Sequence, residues 1–285
     1  MAAAAPTQPR TGFSIGKWIV YILVYALTLL WIIPVITAIL TSFRTNDDIV
    51  KRGFFAVPTS ISFQAYIEAW NRGGLSHYMP NSFIITLPAL VATLFLSSLA
   101  GYALSRFKFP GNRLIFFMFV AGAMLPFQIL LLPVFKLSDT LGIYDTYWAP
   151  ILLHTAFQLG FCTFVLRNYM RTVPGEILEA ARIDGCGEFG IYRRIMMPLT
   201  LPAIAALATL EFTWIFNDFL WALVLIQRDQ LKPVTTGLSV LQGQFITEYS
   251  IIIAGSIIAA LPTVLVFIFL QRYFIAGLTL GATKG

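Results

Sequence analysis

The chain reads as a series of long apolar runs separated by short polar stretches, not as alternating or heptad patterns. Six runs, at about 18–42, 81–105, 114–135, 146–166, 201–226 and 249–271, are each long enough to cross a bilayer as a helix, which takes about 20 mostly apolar residues. The pattern predicts an all-α, polytopic integral membrane protein with six transmembrane helices. Prolines at 34, 88, 126, 202 and 262 fall within or at the ends of these runs. Membrane helices accept them because neighbouring helices and local adjustments satisfy the freed carbonyls. Only the fifth run is interrupted by carboxylates, Glu211 and Asp218.

Composition agrees with this class. Of 285 residues, 58% are hydrophobic and 11% charged, against roughly a quarter charged in soluble proteins, and the mean hydropathy is +0.80. The two cysteines make no disulfide framework, and Cys162 and Cys186 are read as small buried hydrophobes. His77 and His154 are too scattered for a metal cluster. His154, inside an apolar run, is read as a hydrogen-bonded packing residue. The net charge of +6 is spread between runs instead of forming one patch, so no nucleic-acid partner is expected.

The basic residues orient the chain. With the N-terminus inside, Arg10, Lys17, Arg106, Lys108, Arg113, Arg167, Arg171, Arg182, Arg193, Arg194, Arg272 and Lys284 all face the cytoplasm, as the positive-inside bias requires. Both termini are then cytoplasmic. Residues 1–16 are expected to be a poorly ordered cytoplasmic tail leading into a retained helix, because the following run is too long for a signal peptide. Residues 17–285 form the membrane domain. Its external segments are 43–80, 136–145 and 227–248, and its largest cytoplasmic excursion is 167–200. The amphipathic first loop fits a cap over the helix ends as well as it fits contact with an external partner.

That excursion contains EAARIDGCGEFG at 179–190, where Gly185, Gly187 and Gly190 match the G-x-G-x-x-G spacing. A dinucleotide site needs a strand before the first glycine and an acidic residue about 20 positions later. Here helix formers precede Gly185 and apolar sequence follows, so the match is accidental. The residues instead predict a helix opened by Pro174-Gly175 and stopped at Gly185 in a left-handed cap. A second short helix, 188–197, should run up to Pro198. No P-loop, nucleophile elbow, paired-carboxylate site or metal motif accompanies them.

Residues 179–202, EAARIDGCGEFGIYRRIMMPLTLP, closely resemble the E-A-A…D-G…I-x-x-P loop of ATP-binding cassette (ABC) importer permeases. Glu179, Ala180, Ala181, Asp184, Gly185, Ile195 and Pro198 occupy its positions, and Cys186 stands where the family usually has a small residue. AGYALSRFKFPG at 100–111 and QRYFIAGLTLGATKG at 271–285 resemble the carbohydrate, maltose-transporter type. The resemblance implies a non-catalytic permease subunit forming half of a translocation pathway in the plasma (inner) membrane of a bacterium or archaeon. Its implied partners are a second homologous permease, two cytoplasmic ATPase subunits, an extracytoplasmic sugar-binding protein and membrane lipid. The 167–200 loop would carry a coupling helix that docks on an ATPase. ATP and magnesium would be held by that ATPase, leaving this chain without a cofactor.

The interrupted fifth run supplies candidates for the pathway. On one continuous helix, Glu211, Trp214, Asp218 and Trp221 fall within an arc of roughly 80°, with Asn217 beside them. Aromatic faces with hydrogen-bonding side chains suit sugars. The same residues fit an interfacial belt, with tryptophans at the headgroups and carboxylates paired to other helices. The resemblance also leaves open which permease subunit makes the principal sugar contacts. Alternatives are an ABC permease for another solute, an ion-coupled transporter using Glu211 or Asp218, and a non-transporting scaffold or receptor.

Overall fold

A computed structural model describes residues 15–244 and 248–282, with side chains at 16–242 and 248–272. The expected N-terminal tail, up to residue 14, and the side chains of the 273–285 stretch lie outside the described residues.

The elements are helical throughout the described residues. The first span is α1 (Ile15–Ser42), and two short helices, α2 (Asn46–Arg52) and α3 (Gln64–Asn71), follow. The second span is α4 (Leu75–Arg106); α5 (Asn112–Ala123) and α6 (Leu131–Thr140) occupy the third run, and α7 (Trp148–Met170) is the fourth. Then come α8 (Gly175–Ile183), α9 (Glu188–Ile191), α10 (Met197–Phe216), α11 (Leu220–Leu225), α12 (Val234–Gln244) and α13 (Tyr249–Ala282).

Among the described residues five helices are long and apolar enough to span, and the sixth expected span is α5 and α6 bent by 90°. The bend corrects the expectation of a straight helix across 114–135. Pro126 disfavours helical backbone at Leu125 and is itself extended, with ψ 113°. The fifth span is also displaced. It begins at Glu188 and stops at Phe216, so 218–226 is not its continuation. Asn217 donates its amide to the Thr213 carbonyl (2.9 Å). The Asp218 carboxylate then accepts the backbone N–H groups of Trp221 (3.4 Å) and Ala222 (3.0 Å), opening α11. Short polar side chains have diverted the backbone from helix into a cap. Pro198 does not end the second short helix, as expected, but is built into the start of α10. The turn before it widens into a π-turn at Tyr192–Met196, which relieves a helix that meets a residue without an N–H.

The bundle centres on α4 and α7, flanked by α5 and α10, while α10 also packs on α13. Small residues let the backbones approach: a Cβ on Gly160 of α7 would lie 2.5 Å from the Phe119 carbonyl oxygen of α5. The end opposite α8 is tied down by polar contacts. Tyr78 donates to Asp229 (2.9 Å), Asn81 donates to the carbonyls of Gln230 and Lys232 (2.8 and 2.9 Å), and Asp145 accepts from Arg228 Nε (2.8 Å). Residues 43–73 fold over that end. There the buried Arg44 donates to Asp48 (2.5 Å) and to the Gly53 carbonyl (2.7 Å). α2 is closed by an N-cap at Thr45 and by Gly53 at φ +78°. The hydrogen bond from Arg44 holds the Asp48 carboxyl below its ordinary pKa, with partial desolvation opposing.

Candidate functional site

The two interrupted spans meet. Leu125 and Phe127, on either side of the Pro126 bend, and Asp218, at the α10–α11 break, line one cavity of about 420 Å³. Irregular backbone at membrane depth is tolerated where it is buried in protein or lines a cavity. α7 closes the cavity with His154, Phe157, Gln158 and Phe161, a stripe at i, i+3, i+4 and i+7. Trp214 and Trp221 complete the wall.

The tryptophans differ. Trp221 is 4% exposed and sits between Phe127 (centroids 6.4 Å apart) and Phe157 (6.3 Å). Trp214 is 55% exposed and leans on Phe161 at 6.0 Å. His154 Nε2 lies 3.6 Å from Asp218 Oδ2, both side chains largely buried. That is beyond hydrogen-bond length yet within Coulombic reach when the imidazole is protonated. The cavity therefore combines aromatic faces with a carboxylate, an imidazole and a carboxamide. This set can accept and donate hydrogen bonds to a polyhydroxylated molecule while stacking on its C–H faces.

Of the sequence candidates, Trp214, Asp218 and Trp221 come together here, but Glu211 and Asn217 do not line the cavity. The shared-arc argument fails because α10 ends before Asn217. Glu211 is fully buried, and its Oε1 accepts from Cys162 Sγ of α7 (3.2 Å). Sequence reasoning overlooks Phe157, Gln158, Phe161 and Phe127, and it reads His154 as a hydrogen-bonded packing residue, whereas the structure sets that imidazole in the cavity wall, 3.6 Å from Asp218. The α7 stripe was there to find, but helices packed on all sides show apolar residues at every phase.

At one end of the bundle, α8 and α9 form a compact projection. Gly185, at φ +80°, donates its N–H to the Arg182 carbonyl (3.0 Å), and Cys186 donates to Ala181 (2.9 Å). This paired arrangement is the Schellman closure, and it confirms the expected left-handed cap. Leu178 and Ala181 bury α8 against Met170, Ile191 and Tyr192. Glu179, Ala180, Asp184 and Gly185 are exposed. So are Ile183 (88%) and Phe189 (68%), two apolar side chains that the motif does not mark. Ile195 and Pro198 belong instead to the π-turn and α10. Arg182 is not free to present its charge: its Nε donates to Glu188 (2.7 Å), and that hydrogen bond raises the guanidinium pKa. Glu188 also accepts from the Tyr102 hydroxyl of α4 (3.0 Å), while the Tyr192 and Ser98 hydroxyls meet at 2.6 Å. Both contacts pin the projection to α4.

Comparison with known proteins gives concordant results. Residues 93–279 match the family model described as binding-protein-dependent transport system inner membrane component. The chain is 36% identical over 279 residues to the arabinooligosaccharides transport system permease protein AraQ of Halalkalibacterium halodurans, covering 97% of this chain and 99% of that one. It is 32% identical over 280 residues to the probable ABC transporter permease protein YurM of Bacillus subtilis, covering 98% and 92%. Its fold superposes on a chain of a bacterial ABC transporter involved in the import of the acidic polysaccharide alginate. There the TM-score is 0.82 at 22% identity, covering 95% of this chain and 100% of the other. With the bundle, the capped projection and the matched residues all in agreement, this chain belongs to the family of inner-membrane components of binding-protein-dependent transport systems.

Proposed function

We propose that this chain is one permease subunit of an ATP-driven sugar importer. It pairs with a second permease, takes substrate from an external binding protein, and breaks no bond itself. The observation that carries this reading is the junction of two interrupted spans at an aromatic and polar cavity, within the same bundle as the capped α8–α9 projection. The sugar assignment is supported by the cavity's chemistry and by AraQ, whose name specifies arabinooligosaccharides. The projection faces the cytoplasm, consistent with the arginines flanking it, and both termini lie on that side of a bacterial or archaeal inner membrane. Glu179, Ala180, Asp184 and Gly185, with Ile183 and Phe189, present the surface that an ATPase would grip. ATP and magnesium stay on that partner. ATPase closure moves the projection, and the bundle shifts between inward- and outward-open populations according to the state each partner binds better.

The test is co-expression with candidate ATPase and permease partners, purification in mild detergent, and binding-protein-dependent uptake in proteoliposomes across a panel of oligosaccharides. ATP-dependent accumulation of a sugar is expected. Uptake that follows an ion gradient with no ATPase present would overturn the proposal.

A further inference from the structure

A second cavity, of about 470 Å³, lies where α4, the α4–α5 turn, the start of α5 and the end of α7 meet, and it shares no lining residue with the first. Arg106, Lys108, Arg113, Arg167 and Arg171 line it, with no carboxylate among the lining residues. None of the five enters an ion pair among the described residues. Five cations around one hollow repel one another, so the arrangement favours an anion. The floor is rigid: Arg106 donates to the carbonyls of Met170 and Val173, yet its buried Nε has no partner. Arg167 donates to the Leu104 carbonyl (3.3 Å) and stacks 3.8 Å over Phe116. Lys108, Arg113 and Arg171 are exposed around the rim.

The surroundings select the kind of anion. Arg113 lies over Phe117, 5.6 Å from its centroid. Directly along α5, Leu114 (66%), Phe117 (52%) and Met118 (65%) are exposed. These lie on one helical face, so the basic hollow opens onto an apolar strip running into the membrane. A soluble phosphate would use only the hollow; a phospholipid uses both. Basic pockets between spanning helices bind anionic headgroups in this way. We propose that this hollow is a binding site for an anionic phospholipid, whose phosphodiester sits among Lys108, Arg113 and Arg171 with its acyl chains along α5. The site rests on the membrane-spanning fold and is independent of which solute is carried.

The test uses the assembled transporter in nanodiscs of phosphatidylcholine with and without phosphatidylglycerol, reading lipid retained after transfer to detergent by native mass spectrometry. Lys108→Gln should weaken phosphatidylglycerol retention about fivefold, the effect expected of one charge near the surface. The combined Lys108→Gln, Arg113→Gln and Arg171→Gln variant should abolish it. Arg193→Gln with Arg194→Gln, which removes two charges outside the hollow, should retain the lipid. Wild-type retention in the triple variant, or equal loss in the Arg193 and Arg194 control, would overturn the proposal. So would protection of the wild type by millimolar inorganic phosphate in pure phosphatidylcholine with no gain from phosphatidylglycerol, which would assign the hollow to a soluble anion. If the triple variant does not assemble, Lys108→Gln alone decides, because its exposed side chain carries no packing.

Discussion

His154 Nε2 faces Asp218 Oδ2 at 3.6 Å, joining α7 to the break between α10 and α11. Asp218 has two roles there, since its carboxylate also caps α11. Asp218→Asn keeps an acceptor for the cap and removes the charge facing His154, so complex yield should hold while uptake per complex falls several-fold. Asp218→Ala should additionally lose about 1 kcal/mol of cap and lower the yield. Full uptake by purified Asp218→Asn complex would remove Asp218 from the pathway.

The tryptophans should separate packing from recognition. Trp221 is buried between two phenylalanines. Trp221→Ala should therefore cost about 3–5 kcal/mol and show mainly as lost assembly. Trp214 is half-exposed at the cavity wall. Trp214→Ala should assemble normally yet transport poorly, and Trp214→Phe should recover much of the uptake by keeping an aromatic face. Uptake normalised to purified complex is the measurement. Equal, undiminished values for all three variants would show that the wall does not touch substrate.

Gly185 has open space around it and strain only in its backbone: nothing lies within 4 Å of a Cβ built there, but φ is +80°. Asn visits that region readily and a β-branched residue does not. Gly185→Asn should retain ATPase co-purification, while Gly185→Val should cost about 1–2 kcal/mol at the cap and lose it. If both variants hold the ATPase equally, the shape of this turn is irrelevant to docking.

Orientation can be read with single cysteines in a background lacking Cys162 and Cys186. Ile183 is 88% exposed on the projection, and Phe55 is 84% exposed on the loop at the opposite end. An impermeant thiol reagent added to intact cells should label Phe55→Cys and spare Ile183→Cys. The reverse labelling would invert the topology.

Much of this was legible in the residues, for identifiable reasons. Long apolar runs mark spans whatever their partners, and Gly185 after a run of helix formers marks a cap because few other residues fit there. The breaks were harder to see. Pro126 and Pro198 are both prolines near apolar helix, yet one bends a span by 90° and the other is absorbed by a π-turn. The difference lies in what surrounds them, which the local sequence does not carry. At Asn217-Asp218 the polar pair is visible in the sequence but fits a helical face equally well. Its capping role depends on α11 starting anew, and the loop after α11 is held by Asp145 and Asn81, which lie far away in sequence. In the sequence the hollow around Arg106 reads only as dispersed positive charge, because its five members come from α4, the α4–α5 turn, α5 and the end of α7.

The continuity of the helix from Glu188 to Phe216 has a mechanical consequence. Glu188 anchors the projection, and Trp214 at the other end forms part of the cavity wall. At about 1.5 Å of rise per residue the two are about 39 Å apart. A rod of that length is a lever: a tilt of about 5° around its projecting end would carry Trp214 roughly 3 Å sideways, comparable to the thickness of a sugar ring. The π-turn at Tyr192–Met196 sits near the fulcrum, where one residue of slack in the winding lets the rod swing without tearing its hydrogen bonds. A small displacement at the projecting end would then be enough to shift that wall of the cavity, with no element between them required to unfold.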